Sequence, residues 1–168
     1  ASCGPAGFLR IWDIESGALV KEVRAHREPI NSVAYDTSGE LIVTASEDHT
    51  IRVWDVQSGL MQAEMKGHED LVVSASFLPS GSSVLSTSED KTMRVWDLVT
   101  HREKRNQMES AARWGKLRKA VLGPDGRITA IAVQEVKRAT GGLRGRRAGI
   151  VEKDFIQLRD GTTWEDLG

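Results

Sequence analysis

The chain is poor in the features that mark a specialised protein. It has a single cysteine, Cys3, in 168 residues, so no internal disulfide can form. That suits a reducing compartment, and the expectation is an intracellular protein, cytoplasmic or nuclear. No run of about 18 apolar residues occurs, the length a membrane-crossing helix needs. No basic stretch followed by an apolar one opens the chain, as a secretory signal would. No membrane partner is therefore expected. The four histidines, His26, His49, His68 and His101, lie far from one another and from Cys3. None makes the short-spaced pair that zinc sites use, so neither a metal nor a cofactor is expected. Gly141-Gly142 lacks the Gly-Lys-Ser/Thr ending of a phosphate-binding loop. A composition of 39% hydrophobic and 28% charged residues argues against collagen, a disulfide scaffold or wholesale disorder. What remains is an ordinary globular chain, long enough for a sizeable core.

The net charge of −1 conceals an uneven distribution. Residues 1–97 hold 8 basic and 15 acidic side chains, a net of −7. Residues 98–153 hold 14 and 5, a net of +9, and residues 154–168 hold 1 and 4, a net of −3. The character of the chain changes near residue 98.

Against this background one pattern dominates. Leu9-Arg10-Ile11-Trp12-Asp13, Ile51-Arg52-Val53-Trp54-Asp55 and Met93-Arg94-Val95-Trp96-Asp97 recur every 42 residues. His26 and His68 keep the same spacing, as do Ser46 and Ser88, Asp48 and Asp90, and Gly39 and Gly81. Trp114 and Trp164 fall outside this register. Several independent positions sharing one period indicate a repeated structural unit. Within a unit, Ile30–Tyr35 reads as an inner strand and Asp36–Gly39 as a turn, with glycine available for positive φ. Leu41–Ser46 is β-branched and mostly apolar, suited to a strand covered on both faces. Thr50–Asp55 makes a third strand, and Leu60–Met65 a more polar outer one. Val72–Phe77, Ser83–Ser88 and Thr92–Asp97 copy the first three.

A period of 40–45 residues closed by Trp-Asp is the signature of a four-stranded propeller blade. Over residues 8–97 the chain resembles the WD-repeat β-propeller family, and it does so in part over residues 113–160. The resemblance implies an all-β fold: a partial β-propeller of four-stranded antiparallel blades. Residues 1–24 would be the outer strands of one blade, with Ala1-Ser2 as the tail of its second strand. Residues 25–66 and 67–108 would be two complete blades. Residues 109–168 would form a degenerate partial blade, with strands at Lys119–Leu122, Arg127–Val133 and Phe155–Asp160 and a basic insertion at 134–152. About three and a half blades do not close a ring. The expected resolution is that further blades of a longer chain complete it, the alternative being a second copy.

The resemblance also implies a buried hydrogen-bond network in each full blade: His26, Ser46, Asp48 and Trp54 in one, His68, Ser88, Asp90 and Trp96 in the next. The chemistry is sound, because a buried carboxylate needs donors and an indole N–H needs an acceptor. Arg113 and Arg159 replace His and Trp in the degenerate blade, so the same network is not expected there. A Ser-His-Asp trio also invites a hydrolase reading. No Gly-x-Ser-x-Gly elbow accompanies it, and the trio occurs twice where an enzyme needs one. The chain is therefore read as non-catalytic, a scaffold that binds proteins or peptides. By the resemblance, contacts would come from Arg27, Pro29 and Glu47 in one blade and Glu69, Leu71 and Glu89 in the next. The acidic bias of Glu28, Glu47, Glu69, Asp70 and Glu89 points to a basic peptide. The alternative is a nucleic-acid-associated, RNA-binding protein using segment 98–153, with phosphate contacts from Lys137, Arg138, Arg144, Arg146 and Arg147. That tract has no aromatic residue for base stacking and equally suits a solvated loop.

Overall fold

The computed structural model describes residues 1–104 in full and the backbone of strands 116–122, 128–138 and 150–160. Thirteen strands and no helix occupy these residues, in four antiparallel sheets. The first sheet joins β1 (Ser2–Cys3), β2 (Phe8–Trp12) and β3 (Leu19–Arg24). The second joins β4 (Ile30–Tyr35), β5 (Leu41–Ser46), β6 (Thr50–Asp55) and β7 (Met61–Lys66). The third contains β8 (Val72–Phe77), β9 (Ser83–Ser88) and β10 (Met93–Asp97). The last contains β11 (Lys116–Leu122), β12 (Ile128–Arg138) and β13 (Ile150–Asp160). In each, strands next in sequence are next in space. This is the blade order the repeat predicts, down to the pairing of Ser2 with Arg10 at the start of the chain.

The sheets stack on one another, and alternation along β5 shows why. Ile42 faces the first sheet, in a cluster with Leu9, Ile11, Ala25, Ile30 and Trp54. Val43 and Ala45 face the third, packed with Ile51, Val53, Met65, Val72, Val84 and Trp96. The two faces of one strand thus belong to two separate cores. A continuous apolar run, rather than an alternating one, is what such a strand requires. Polar ties cross the same seams. Asn31 Nδ2 donates to the Val72 carbonyl at 3.0 Å, and Lys21 Nζ to the Val56 carbonyl at 3.4 Å. At the first seam Gly7, with φ at +72°, offers its carbonyl to the amides of Ala25 and His26 at 2.9 and 3.0 Å. A Cβ on Gly7 would run into the His26 carbonyl, so the close approach depends on glycine.

One expectation is modified. In the blade at 67–108 three strands lie within the described residues, and residues 105–108, where most of its expected fourth strand falls, lie outside them. Trp96 forms a bridge with Glu103, one period after the pairing of Trp54 with Met61, and the Lys104 amide donates to the Val95 carbonyl at 2.8 Å. His101, at φ +55°, replaces the glycine that turns the two earlier blades at Gly17 and Gly59. The modification concerns the basic insertion. Its flanks are strand, because β12 and β13 are each eleven residues long and stay paired out to Arg138 and Ile150. Residues 139–149 lie outside the described residues, as does Arg113.

Candidate functional site

The network in the third sheet starts from Trp96. Its indole N–H donates to Ser86 Oγ at 2.8 Å. Ser86 Oγ is also 2.8 Å from His68 Nε2, and His68 Nδ1 is 2.7 Å from Asp90 Oδ2. One proton assignment satisfies every group: Nδ1–H donates to the carboxylate, the serine hydroxyl donates to Nε2, and the serine oxygen accepts the indole N–H. Asp90 closes the loop by accepting from the Thr92 hydroxyl at 2.6 Å and from the backbone amides of Thr92 and Glu69 at 2.8 and 3.1 Å. The second sheet repeats this. Trp54 Nε1 donates to Thr44 Oγ1 at 3.0 Å, Thr44 Oγ1 is 2.8 Å from His26 Nε2, and His26 Nδ1 is 2.9 Å from Asp48 Oδ2. Thr50 donates to Asp48 Oδ1 at 2.5 Å.

The hydroxyl at the centre of each network is therefore Thr44 or Ser86, not Ser46 or Ser88. The predicted serines lie on the same strands, two residues on. Ser46 Oγ donates to the Pro29 carbonyl at 2.8 Å and accepts the Asp48 amide at 3.1 Å. Ser88 Oγ does the same with the Leu71 carbonyl at 2.9 Å and the Asp90 amide at 3.1 Å. They clasp the lead-in loop of the inner strand to the following turn. The reason lies in register: Trp54 pairs with Ile42, and Thr44 is the next residue of β5 on the same face. Ser2, Thr44 and Ser86 keep the 42-residue spacing, and Ser2 accepts the Trp12 indole N–H at 2.8 Å. The signal was a shared hydroxyl at a fixed distance before Trp, hidden because serine and threonine alternate there.

An Asp-His-Ser relay of this geometry could activate a nucleophile in an open cleft. Here Ser86 is 1% exposed and Thr44 fully buried, so neither oxygen can meet a substrate. The relay is a rivet. Its electrostatics fit that role. Burial pushes the His26 and His68 rings below the ordinary histidine range, although the neighbouring carboxylates pull the other way. For Asp90, burial pushes the carboxyl up, but hydrogen bonds from Thr92 and His68 outweigh it, and the pKa settles at about 2. Asp48 is lowered by the same balance.

These shifts have one sign. A group with a depressed pKa in the fold gives stability that is present above its unfolded pKa and is lost as pH falls through the folded value. The histidines start to subtract below about 6.5 and the aspartates below about 3.8. The urea midpoint should therefore be level above pH 7, decline by pH 5, and fall most steeply between pH 3.8 and 2. A midpoint that rises from pH 7 to pH 5 would show that the buried rings take up protons in the fold.

Above the rivets, the turns after β5 and β9 carry Glu47 and Glu89. The Glu47 amide donates to the Pro29 carbonyl and the Glu89 amide to the Leu71 carbonyl, both at 3.0 Å. Each turn is thereby held against the loop that leads into its inner strand. Between the two blades lies a cleft of ≈ 440 Å³. Glu47 and Glu89 line it, with Leu71 and Val73 as its apolar part and Asn31, Ser32 and Ser74 as its polar part. Three of the six predicted contact residues, Glu47, Leu71 and Glu89, are thus gathered around one concavity. Arg27 and Glu69 are exposed and Pro29 half-buried on the adjoining loops, outside the cleft lining. Asn31, Ser32, Val73 and Ser74 were not anticipated. They are the second and third residues of the inner strands β4 and β8, in matching positions of the two repeats. Lys137 and Arg138 end β12, while Arg144, Arg146 and Arg147 lie outside the described residues. Among the described residues no group of His, Cys, Asp and Glu is arranged to hold a metal ion.

Comparison with known proteins agrees with this architecture. The family model of the WD domain, G-beta repeat, matches residues 17–55 and 59–97. Autophagy-related protein 18g of Arabidopsis thaliana is 49% identical over 41 residues, 24% of this chain and 4% of that protein. Autophagy-related protein 16 of the same plant is 40% identical over 43 residues, 26% of this chain and 8% of the relative. Autophagy-related protein 18h is 45% identical over 40 residues, 24% of this chain and 4% of its own length. The match thus spans under a tenth of each of these curated relatives, about the length of one blade. Stacked antiparallel sheets, a rivet repeated at 42 residues and the matched segments lead to one assignment: residues 17–55 and 59–97 are two repeats of the WD domain, G-beta type.

Proposed function

We propose that the chain is a non-catalytic interaction scaffold that holds a basic segment of a partner protein at the end of the blades carrying Glu47 and Glu89. WD repeats serve in general as protein-interaction scaffolds, and the finer reading is carried by one observation. Equivalent positions of two successive repeats, Glu47 with Glu89 and Ser32 with Ser74, converge on a single cleft. The rivets beneath are closed to solvent and hold the turns rigid, and a rigid, preformed surface loses little entropy on binding. Charge reversal tests the reading. Glu47→Lys with Glu89→Lys should abolish capture of basic partners in a pull-down while leaving the fold intact by circular dichroism. Unchanged capture by the doubly reversed protein would remove the acidic cleft from consideration.

A second reading, association with nucleic acid, has one supporting feature. The β12–β13 hairpin is almost twice as long as the six-residue strands of the repeats, and Lys137 and Arg138 lie at its far end. Binding through that end would weaken steeply with salt. An absent or salt-insensitive RNA mobility shift would dismiss it.

A further inference from the structure

We infer that the seam between the third and fourth sheets is an opening joint, at which the fourth sheet parts from the chain while the second and third sheets stay locked together. This goes beyond the scaffold reading and does not depend on it. The starting point is Thr87. It is fully buried on β9, and its hydroxyl meets no hydrogen-bond partner among the described residues. Buried hydroxyls are as a rule paired, so an orphan marks a place where the closed arrangement is imperfect. Alternation along β9 shows which seam that is. Ser86 holds the Trp96 indole on the side of the second sheet, so Leu85 and Thr87 face the other way. Register places Met93 opposite Thr87, and Val95 and Ser76 opposite Leu85, on that same face. The second sheet covers the first side, and β11 of the fourth sheet, which lies against β8 and β9, covers this one.

The seam one repeat earlier shows what a locked joint has. There the second sheet presents Ala34, Val43, Ala45, Ile51 and Val53 to the third. The matching residues, 42 positions on, are Ser76, Leu85, Thr87, Met93 and Val95. Hydroxyl residues replace both alanines, and the Thr87 hydroxyl is unmet. Such a group favours the open state, where water meets it. The earlier seam is also tied by Asn31, whose Nδ2 donates to the Val72 carbonyl at 3.0 Å. At that position of the next repeat stands Val73, whose side chain has no donor to give. The seam to the fourth sheet therefore carries an unmet hydroxyl and lacks that side-chain tie, and both differences act in one direction. Neither touches the rivet, because Ser86 and Trp96 lie on the opposite face of the third sheet. Parting bares Leu85, Met93 and Val95, all buried when the seam is closed, and leaves the cleft between the second and third sheets intact.

The test is thiol labelling of buried positions in the whole 168-residue chain, with Cys3→Ala removing the native thiol. Val43→Cys reports on the earlier seam, and Leu85→Cys, one repeat later, on the seam to the fourth sheet. A thiol at either place reacts only when its seam opens. The Leu85→Cys chain should label about tenfold faster or more than the Val43→Cys chain. Its rate should depend only weakly on urea, since a parted seam exposes less surface than unfolding does. Thr87→Val keeps the branched shape without the hydroxyl, and added to Leu85→Cys it should slow labelling about fivefold or more. Ala45→Thr puts a hydroxyl into the earlier seam and should speed labelling of the Val43→Cys chain. Val53→Cys and Val95→Cys repeat the comparison with one and the same substitution, so that a core loosened by Leu85→Cys itself is told apart from an open seam. Equal labelling at the two seams, an equally steep urea dependence at both, or a rate that Thr87→Val leaves unchanged or raises would overturn the inference.

Discussion

Asp90→Ala should lower the stability of the chain by about 3–5 kcal/mol, the range for breaking a buried charge-assisted pair from one side. The carboxylate side chain is 5% exposed and anchors four donors: His68 Nδ1, the Thr92 hydroxyl and the amides of Thr92 and Glu69. Alanine fills none of these roles. Each donor left unpaired in a dry site costs about 1–3 kcal/mol, less whatever water recovers. Asp48→Ala should act in the same direction but by less, about 2–4 kcal/mol, because that side chain is 11% exposed and admits water more readily. Asp90→Asn keeps one acceptor oxygen and should fall between Asp90→Ala and the unsubstituted chain. Urea unfolding followed by tryptophan fluorescence measures all three. A normal midpoint for Asp90→Ala would mean that the rivet is not what holds the turn. A hydrolytic activity lost with the carboxylate, and no loss of stability, would reopen the catalytic reading of the Asp-His-Ser relay.

Much of this architecture was legible in the sequence, because the repeat enforces itself at several levels. Identical residues at a spacing of 42 place β4, β5, β6, β8 and β9 where the apolar and β-branched runs suggest, to within a residue. The period reaches the backbone: Gly7, His49 and Lys91 are 42 apart and all have φ between +66° and +72°. What was hidden has particular causes. Identity drew attention to Ser46 and Ser88, while the rivet needs only a hydroxyl and accepts Thr44 or Ser86. The cleft residues Asn31, Ser32, Val73 and Ser74 have no motif. Two are serines in strands, and only the apposition of two inner strands makes them neighbours. The extended pairing of β12 with β13 was masked by the glycine and arginine that follow Arg138. Yet Val136, Val151 and Ile150 carry the β-branched character that a paired strand favours.

The three tryptophans of the repeat test whether a blade is stable alone or only against its neighbour. They occupy one sequence position, and each donates its indole N–H to a hydroxyl ten residues earlier. Their surroundings differ. Trp96 is 2% exposed, stacks edge-on with His68 at 5.9 Å between ring centroids, and lies against Gly67 with the second sheet beside it. Trp54 is 6% exposed and packs on Leu9 and Ile11 of the first sheet. Trp12 makes the same hydrogen bond but stands 42% exposed, with no sheet against its ring among the described residues. If packing between blades sets the energy, Trp96→Ala and Trp54→Ala should each cost about 3–5 kcal/mol, as large-to-small changes in a closed core do. Trp12→Ala should cost about 1 kcal/mol, the worth of an ordinary hydrogen bond with little burial behind it. Trp96→Phe separates the two contributions: most of the ring contact stays, the Ser86 oxygen loses its donor, and the loss should fall to about 1–2 kcal/mol. Urea midpoints across the four variants decide the matter. Equal losses at all three positions would place the stability within each blade, in the hydrogen bond they share. The expected ranking places it at the seams, where a strand that is apolar on both faces finds cover on both.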